Sequence, residues 1–272
     1  MEKSLLRRGL AQPGRDGLLV GVSAAEAHWR YIDFSANQLA SGQELTGETG
    51  TKETALMLLS GTADFQAAGR SWGRLEGRSG VFDSVGPYTL LLPPGVSYQV
   101  RAAAPVHLAV AAATPAGPSV PPRLITPDET GVELRGAGGT ARQVRNILPE
   151  TEPAGGLLLV EVITPAGNWS SYPPHKHDTD DPPRETYLEE VYYYQFSQPQ
   201  GYALQRVYTD DRRLNETLAP GHSDLVLVPA GYHPVAAAPG YDCYYLNVMA
   251  GPVRRWCFTP DPQHVWLMNW SK

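Results

Sequence analysis

Residues 171–178 read SYPPHKHD and place His175 and His177 one residue apart. In an extended strand, residues i and i+2 point to the same face, so both imidazoles can converge on one ion while Lys176 points away. Downstream, LEEVYYYQ sets a carboxylate, Glu189 or Glu190, at the head of a strand-like run. VPAGYHP then supplies a third imidazole, His233, just after a Pro-x-Gly turn that can feed the chain back into a sheet. Three imidazoles and one carboxylate form a mixed nitrogen and oxygen donor set that suits Zn, Mn, Fe, Co or Ni without filling an octahedral shell. Open positions would remain for a substrate's oxygens. The plainer alternative makes His233 a turn residue and leaves both glutamates solvated, the usual fate of adjacent carboxylates.

The elements that must position these residues are strands. Short runs rich in β-branched, aromatic and leucine residues recur along the chain: TALMLLSG, YTLLLPPG, HLAVAAA, LLLVEVITPAG, EEVYYYQF, GYALQRVY, DLVLVPAGY and CYYLNVMAG. Gly, Pro, Asn and Asp bound them, as tight turns bound strands. With 27 glycines and 25 prolines in 272 residues, long helices are few. A short helix is expected only between Ser23 and Trp29, where Ser23 can cap AAEAHW. Many short strands at close spacing predict a sandwich or barrel.

The Pro-rich stretch 113–127, ATPAGPSVPPRLITP, reads as a linker between two comparable halves. A shift of 136 residues, half the chain, lays ETALMLL over EEVYYYQ and LLPPGVS over LVPAGYH. A duplicated β-domain is therefore expected, with boundaries 1–125 and 126–272. In that register Leu39, Ser41, Thr54 and Ser97 occupy the positions of His175, His177, Glu190 and His233. Only the second half has the donors, so a metal reading implies one site per chain.

Charge and composition exclude other classes. The net charge of −6 is spread without blocks of like sign, and no basic stripe is available for a nucleic-acid backbone or an anionic membrane. The amino terminus, MEKSLLRRGLAQPGRDG, has no apolar core of a secretion signal, and no apolar run approaches a membrane span. Two cysteines, Cys243 and Cys257, do not make a disulfide framework, so a reducing cytoplasm is the simplest location. No phosphate loop, nucleophile elbow or dinucleotide fingerprint is present. The clustered tyrosines of YDCYYLNVM suit core and interface positions. The carboxyl-terminal WCFTPDPQHVWLMNW, with Trp256, Trp266 and Trp270, reads as a packed tail or subunit contact rather than a cofactor site. The supply of aromatics is compatible with a homo-oligomer.

The combination of HxH, a following Glu and PxGxH with Gly221 ahead of it resembles the two-part cupin motif. It departs from the simple pattern because 12 residues, 178–189, separate His177 from Glu190, and the insert must bulge as a loop between paired strands. Spacing alone leaves the choice between Glu189 and Glu190 open. Longer matches narrow the resemblance. GNWSSYPPHKHD, LEEVYYYQF, PQGYALQRVYTDDR, VLVPAGYHPVAAAPGYD and YYLNVMAGPVRRW are similar to the 5-deoxy-glucuronate isomerase family of myo-inositol catabolism, a relative of the uronate ketol-isomerases. WRYIDF, LSGTADF and LLPPGVSY carry the likeness through the first half.

The resemblance implies an all-β bicupin, two tandem jelly-roll barrels, in which only the carboxyl-terminal one keeps a metal. It assigns the ligands to His175, His177, Glu190 and His233, with Glu190 chosen by the E-V-Y shared with the uronate isomerases. Glu190, Tyr192 and Tyr194 would then share the cavity face, with Glu189, Val191 and Tyr193 opposite. It implies conversion of 5-deoxy-D-glucuronate to 2-deoxy-5-keto-D-gluconate with one divalent ion per chain, zinc first and Mn, Fe, Co or Ni as alternatives. Isomerisation of a related uronate such as 5-keto-4-deoxyuronate, Fe(II) dioxygenase chemistry, and non-catalytic binding of a sugar acid are the competing readings. The sequence does not identify a proton-transfer base; Asp178, Lys176, Glu189 and the tyrosines are all conceivable. A sugar-acid substrate calls for a cation, and Arg206 is nominated for it, with Arg184 in the insert second and Tyr192 as a further substrate contact.

Overall fold

The computed structural model describes residues 4–269. The fold is all-β and builds two barrels in tandem. In the first half, a six-stranded sheet runs in the order Arg123–Ile125, Tyr88–Leu92, Glu53–Ser60, Val106–Ala113, Ile32–Leu39, Leu18–Val22. It closes over a four-stranded sheet of Glu44–Glu48, Ser97–Ala102, Thr62–Ala67 and Arg70–Glu76, with Leu39, Leu56, Phe65, Leu90 and Val100 between them. The second half repeats the plan. A seven-stranded sheet runs Leu6–Arg7, Leu225–Val228, Glu189–Phe196, Cys243–Ala250, Leu158–Thr164, Arg142–Leu148, Gly131–Arg135, opposite a small sheet of Trp169–Ser170, Val235–Ala237, Ala203–Tyr208 and Asn215–Leu218. Each half receives an edge strand from outside its main body. Leu6–Arg7, from the amino terminus, joins the second sheet, and Arg123–Ile125, inside the expected linker, joins the first.

The two large sheets also pack against each other. Phe34, Met57 and Leu91 from the first half meet Val191, Tyr193, Leu246 and Val248 from the second in one shared core. Central strands such as Glu189–Phe196 and Cys243–Ala250 are thus buried on both faces, which explains why their sequences lack the polar alternation of a half-exposed strand. Parity within Glu189–Phe196 then divides labour. Val191 and Tyr193 serve the shared core, whereas Tyr192 and Tyr194 line the second barrel.

Two carboxylates related by the 136-residue shift clasp the halves together. Glu53 accepts from the backbone N–H groups of Gly155, Gly156 and Leu157 at 2.5, 2.9 and 2.9 Å. Glu189 accepts from those of Arg30, Tyr31 and Ile32 at 2.7, 3.0 and 3.1 Å. The expected helix is a single turn, Ala24–Ala27, closed by a reciprocal Ser23/Glu26 capping box. Among the described residues no helix is long and apolar enough to cross a membrane.

His107 sits at the seam between the halves. Gln195 Nε2 donates to its Nδ1 at 3.0 Å, and its Nε2 donates to the Tyr193 hydroxyl at 2.8 Å, a pattern that requires the neutral ring. Burial, reinforced by the charges of His222 and Arg78, pushes its pKa down to about 4. Above pH 6.5 folded and unfolded chains both hold a neutral ring; between 6.5 and 4 only the unfolded chain takes up the proton. Stability from this residue is therefore lost as pH falls through that window, by at most about 3 kcal/mol, since the residue is only half-buried and solvent screens part of the effect. Urea midpoints from pH 7 to 4 should fall less steeply for His107→Gln than for the natural protein, and parallel profiles would refute the assignment.

Candidate metal centre

The HKH segment is held as a strand, His175–Lys176, by antiparallel pairing with Thr259–Pro260 near the carboxyl terminus. The insert after it is a closed loop. Leu188 N donates to His177 O at 2.9 Å, bringing the chain back so that Glu190 enters its strand beside His177. Lys176, Asp178 and Glu185 lock this loop. Lys176 Nζ donates to Asp178 at 2.6 Å, and Glu185 Oε1 accepts from the N–H groups of Asp178 and Thr179, each at 2.8 Å. Asp178 also accepts from Gly231 N at 2.8 Å, which ties the first motif to the turn that carries His233. Gly231 has φ +87°, and a Cβ there would lie 2.3 Å from Tyr208 O, so this turn takes only glycine without strain.

His175, His177 and His233 bring one ring nitrogen each within 4.8 Å of one another, and this is the one such cluster among the described residues. In every ring the other nitrogen, Nδ1, faces a backbone carbonyl: Pro173 O at 3.3 Å, Leu188 O at 3.1 Å and Gly231 O at 2.8 Å. That arrangement places the proton on Nδ1 and leaves each Nε2 lone pair for the centre. Glu190 Oε2 lies 3.1 Å from Nε2 of both His177 and His233. Its other oxygen accepts from Asn247 Nδ2 at 2.7 Å.

The electrostatics fit a cation. Burial opposes ionisation of Glu190, but His233 and His177 outweigh it and hold the carboxyl well below the usual range. Burial likewise opposes the charged form of His177, yet the Glu190 carboxylate wins and raises its pKa. His175 goes the other way, pushed down to about 3 by burial and by its two neighbouring imidazoles, so its ring is a neutral donor. His233 Nε2 is buried without a hydrogen bond of acceptable geometry, a polar atom that a metal would satisfy. Three imidazole nitrogens and an ionised carboxylate suit a divalent transition metal with open positions. Asn247→Leu, which deletes the hydrogen bond orienting Glu190, should weaken metal binding roughly 10- to 100-fold in a chelator competition. A change under threefold would remove Asn247 from the site.

A cavity of about 490 Å³ opens over this centre and includes His175, Glu190 and Tyr192 in its lining. Tyr192 Oη lies 2.9 Å from Ser171 Oγ, and burial, then the Glu190 charge, raises its pKa well above 10, so it remains a hydroxyl. Trp256, Phe258, Leu267 and Met268 form an apolar wall of the same cavity, and Phe258 packs on His175 with ring centroids 4.7 Å apart. The carboxyl-terminal segment, expected to be a packed tail or subunit contact, thus contributes to the cavity over the centre. Trp266 is exposed, and Trp270 lies outside the described residues.

The two nominated arginines are elsewhere. Arg206 is on the solvent face of its strand, donates to Asn215 Oδ1 at 2.8 and 3.1 Å and stacks over the Tyr208 ring. The neighbouring Gln205 points inward instead, accepting from Tyr194 Oη at 2.8 Å. Arg184 is exposed on the insert and paired with Asp181. Neither lines the cavity; Arg142 and Arg135 do. The three non-tyrosine base candidates are also committed elsewhere, Asp178 and Lys176 to the loop lock and Glu189 to the clasp between halves.

Fold and site together define a two-barrel cupin with one histidine-rich centre. Oxalate decarboxylase of Lactobacillus farciminis shares the architecture alone, with a TM-score of 0.68 at 13% identity over 99% of this chain and 94% of that one. The chain belongs to the KduI/IolB family, whose model matches residues 5–267. It is 50% identical over 257 residues to a protein named 5-deoxy-glucuronate isomerase from Geobacillus kaustophilus, covering 94% of this chain and 93% of that protein. The crystal structure of an IolB-like protein from Salmonella typhimurium matches with a TM-score of 0.94 at 44% identity, covering 98% of this chain and 100% of that one.

Proposed function

We propose that this protein is an aldose–ketose isomerase that converts 5-deoxy-D-glucuronate to 2-deoxy-5-keto-D-gluconate using one divalent ion per chain, zinc first among the candidates. The observation that carries the reading is the convergence of three Nε2 atoms and the Glu190 carboxylate at a cavity, in a chain half identical to proteins bearing the isomerase name. Residues 1–125 form a cupin domain without the metal ligands that lends its Leu6–Arg7 strand to the neighbouring sheet, and residues 126–272 form the metal-binding cupin domain.

The reaction moves one hydrogen from C2 to C1 and one from the C2 hydroxyl to the C1 oxygen, without net oxidation. A bound divalent ion would supply Lewis-acid polarisation of the aldehyde. His175, His177, His233 and Glu190 would hold it. Asn247 and the three backbone carbonyls fix their orientation. Tyr192, protonated and backed by Ser171, offers a hydrogen bond to a sugar oxygen. Trp256 and Phe258 offer an apolar wall beside the centre for the sugar carbons to pack on.

The test is an NMR time course of metal-analysed protein with 5-deoxy-D-glucuronate, before and after chelation. The keto acid should appear, vanish on chelation and return with one equivalent of divalent ion. A metal-loaded protein that leaves this substrate unchanged would overturn the substrate assignment.

A further inference from the structure

Arg142 opens its strand with its side chain reaching the same cavity as His175 and Glu190. Its guanidinium donates only to backbone carbonyls, Thr140 O at 3.0 Å and Tyr172 O at 3.2 Å, and no carboxylate pairs with it among the described residues. Directly across the strand pair sits Arg135, another cavity residue. Like charges facing each other across antiparallel strands destabilise a sheet. Here one carboxylate, Glu133, serves Arg135 at 2.8 Å, and the second cation has none. Burial lowers the pKa of Arg142 from its ordinary value, Tyr245 in the same cavity offsets part of this, and Arg135 lowers it further. Guanidinium remains charged at neutral pH all the same and offers a planar fork that matches a carboxylate.

We infer that Arg142 is the carboxylate-binding residue of this cavity, receiving the acid end of a sugar acid whose other end lies at the histidine centre. The inference rests on the function proposed above for the choice of acid, but not for the class of ligand. Arg142 binds the carboxylate through the N–H groups left over from Thr140 and Tyr172. Arg135, paired with Glu133 and packed against Trp256, does not compete for the same anion.

The experiment compares the metal-loaded natural protein with Arg142→Gln and Arg142→Lys on two substrates, 5-deoxy-D-glucuronate and its neutral counterpart 5-deoxy-D-glucose. The ratio of their kcat/KM values should favour the acid in the natural protein. Arg142→Gln should collapse that ratio about 10- to 100-fold, mainly through KM for the acid, with Arg142→Lys intermediate. An unchanged ratio would overturn the inference, as would equal losses on both substrates. Calorimetric binding of D-gluconate and D-glucitol forms a second arm that needs no turnover. Selective loss of gluconate binding in Arg142→Gln supports the carboxylate site even if the natural protein isomerises neither sugar, an outcome that would sink only the substrate assignment. If Arg142→Gln fails to fold, Arg142→Lys decides by the same ratio.

Discussion

His233→Ala should cost at least about 100-fold in divalent-metal affinity and reduce isomerase activity to background. Changes to residues that merely orient a ligand cost 10- to 100-fold, so removal of a donor costs more. His233 is 1% exposed, and its Nε2 faces the centre with no other hydrogen-bond partner. Its loss also leaves Glu190 with one imidazole contact instead of two. Metal content after dialysis against a weak chelator, measured beside the melting temperature, checks the prediction. His233→Gln, closer in volume, guards against a result caused by misfolding. Retention of one metal per chain by both folded variants would show that the ion sits elsewhere.

Glu161→Leu should cost roughly 3–5 kcal/mol of stability while leaving the metal stoichiometry of the folded protein intact. Glu161 lies in the shared seam, 2% exposed, and accepts from Arg78 at 2.7 and 2.9 Å, from Arg145 at 2.9 Å and from Tyr244 Oη at 3.1 Å. Arg78 comes from the first half and Arg145 from the second, so this one carboxylate neutralises cations from both. An apolar replacement strands two buried guanidinium groups. Arg78→Met should cost less, because Arg145 continues to pair with Glu161. Urea unfolding at constant pH measures both, and a loss under 1 kcal/mol for Glu161→Leu would show that water reaches the cluster.

The histidine centre faces into the second barrel, whereas the Glu161 cluster faces out of it toward the first. Glu190 and Glu189 are adjacent in sequence yet belong to these two environments, the first at the histidine centre and the second on backbone N–H groups of the other half. Strand parity predicts that they diverge; which of them faces the barrel depends on what covers each side of the sheet.

By itself the sequence determined a good deal. Turn-bounded apolar runs specify strands because Gly and Pro break them at short intervals, and the 136-residue register exposes the repeat. The HxH spacing specifies shared orientation of His175 and His177, because side chains alternate along any strand. Gly231 is legible too, since only glycine takes the turn that presents His233 without strain. Contacts between segments far apart in the chain were decided by the tertiary structure alone. Arg206 lies in an alternating strand, but alternation does not say which face is inside. Gln205 took that face, and Arg142, from a strand 64 residues earlier with no motif around it, entered the cavity instead. The carboxyl-terminal wall is the same kind of case. Trp256 and Phe258 reach the centre because Thr259–Pro260 pairs with His175–Lys176, and a two-residue pairing across such a distance leaves no periodic trace in the sequence. Local periodicity encodes which side chains move together, whereas closure of the barrel and docking of its neighbour set which of them meet the ligand.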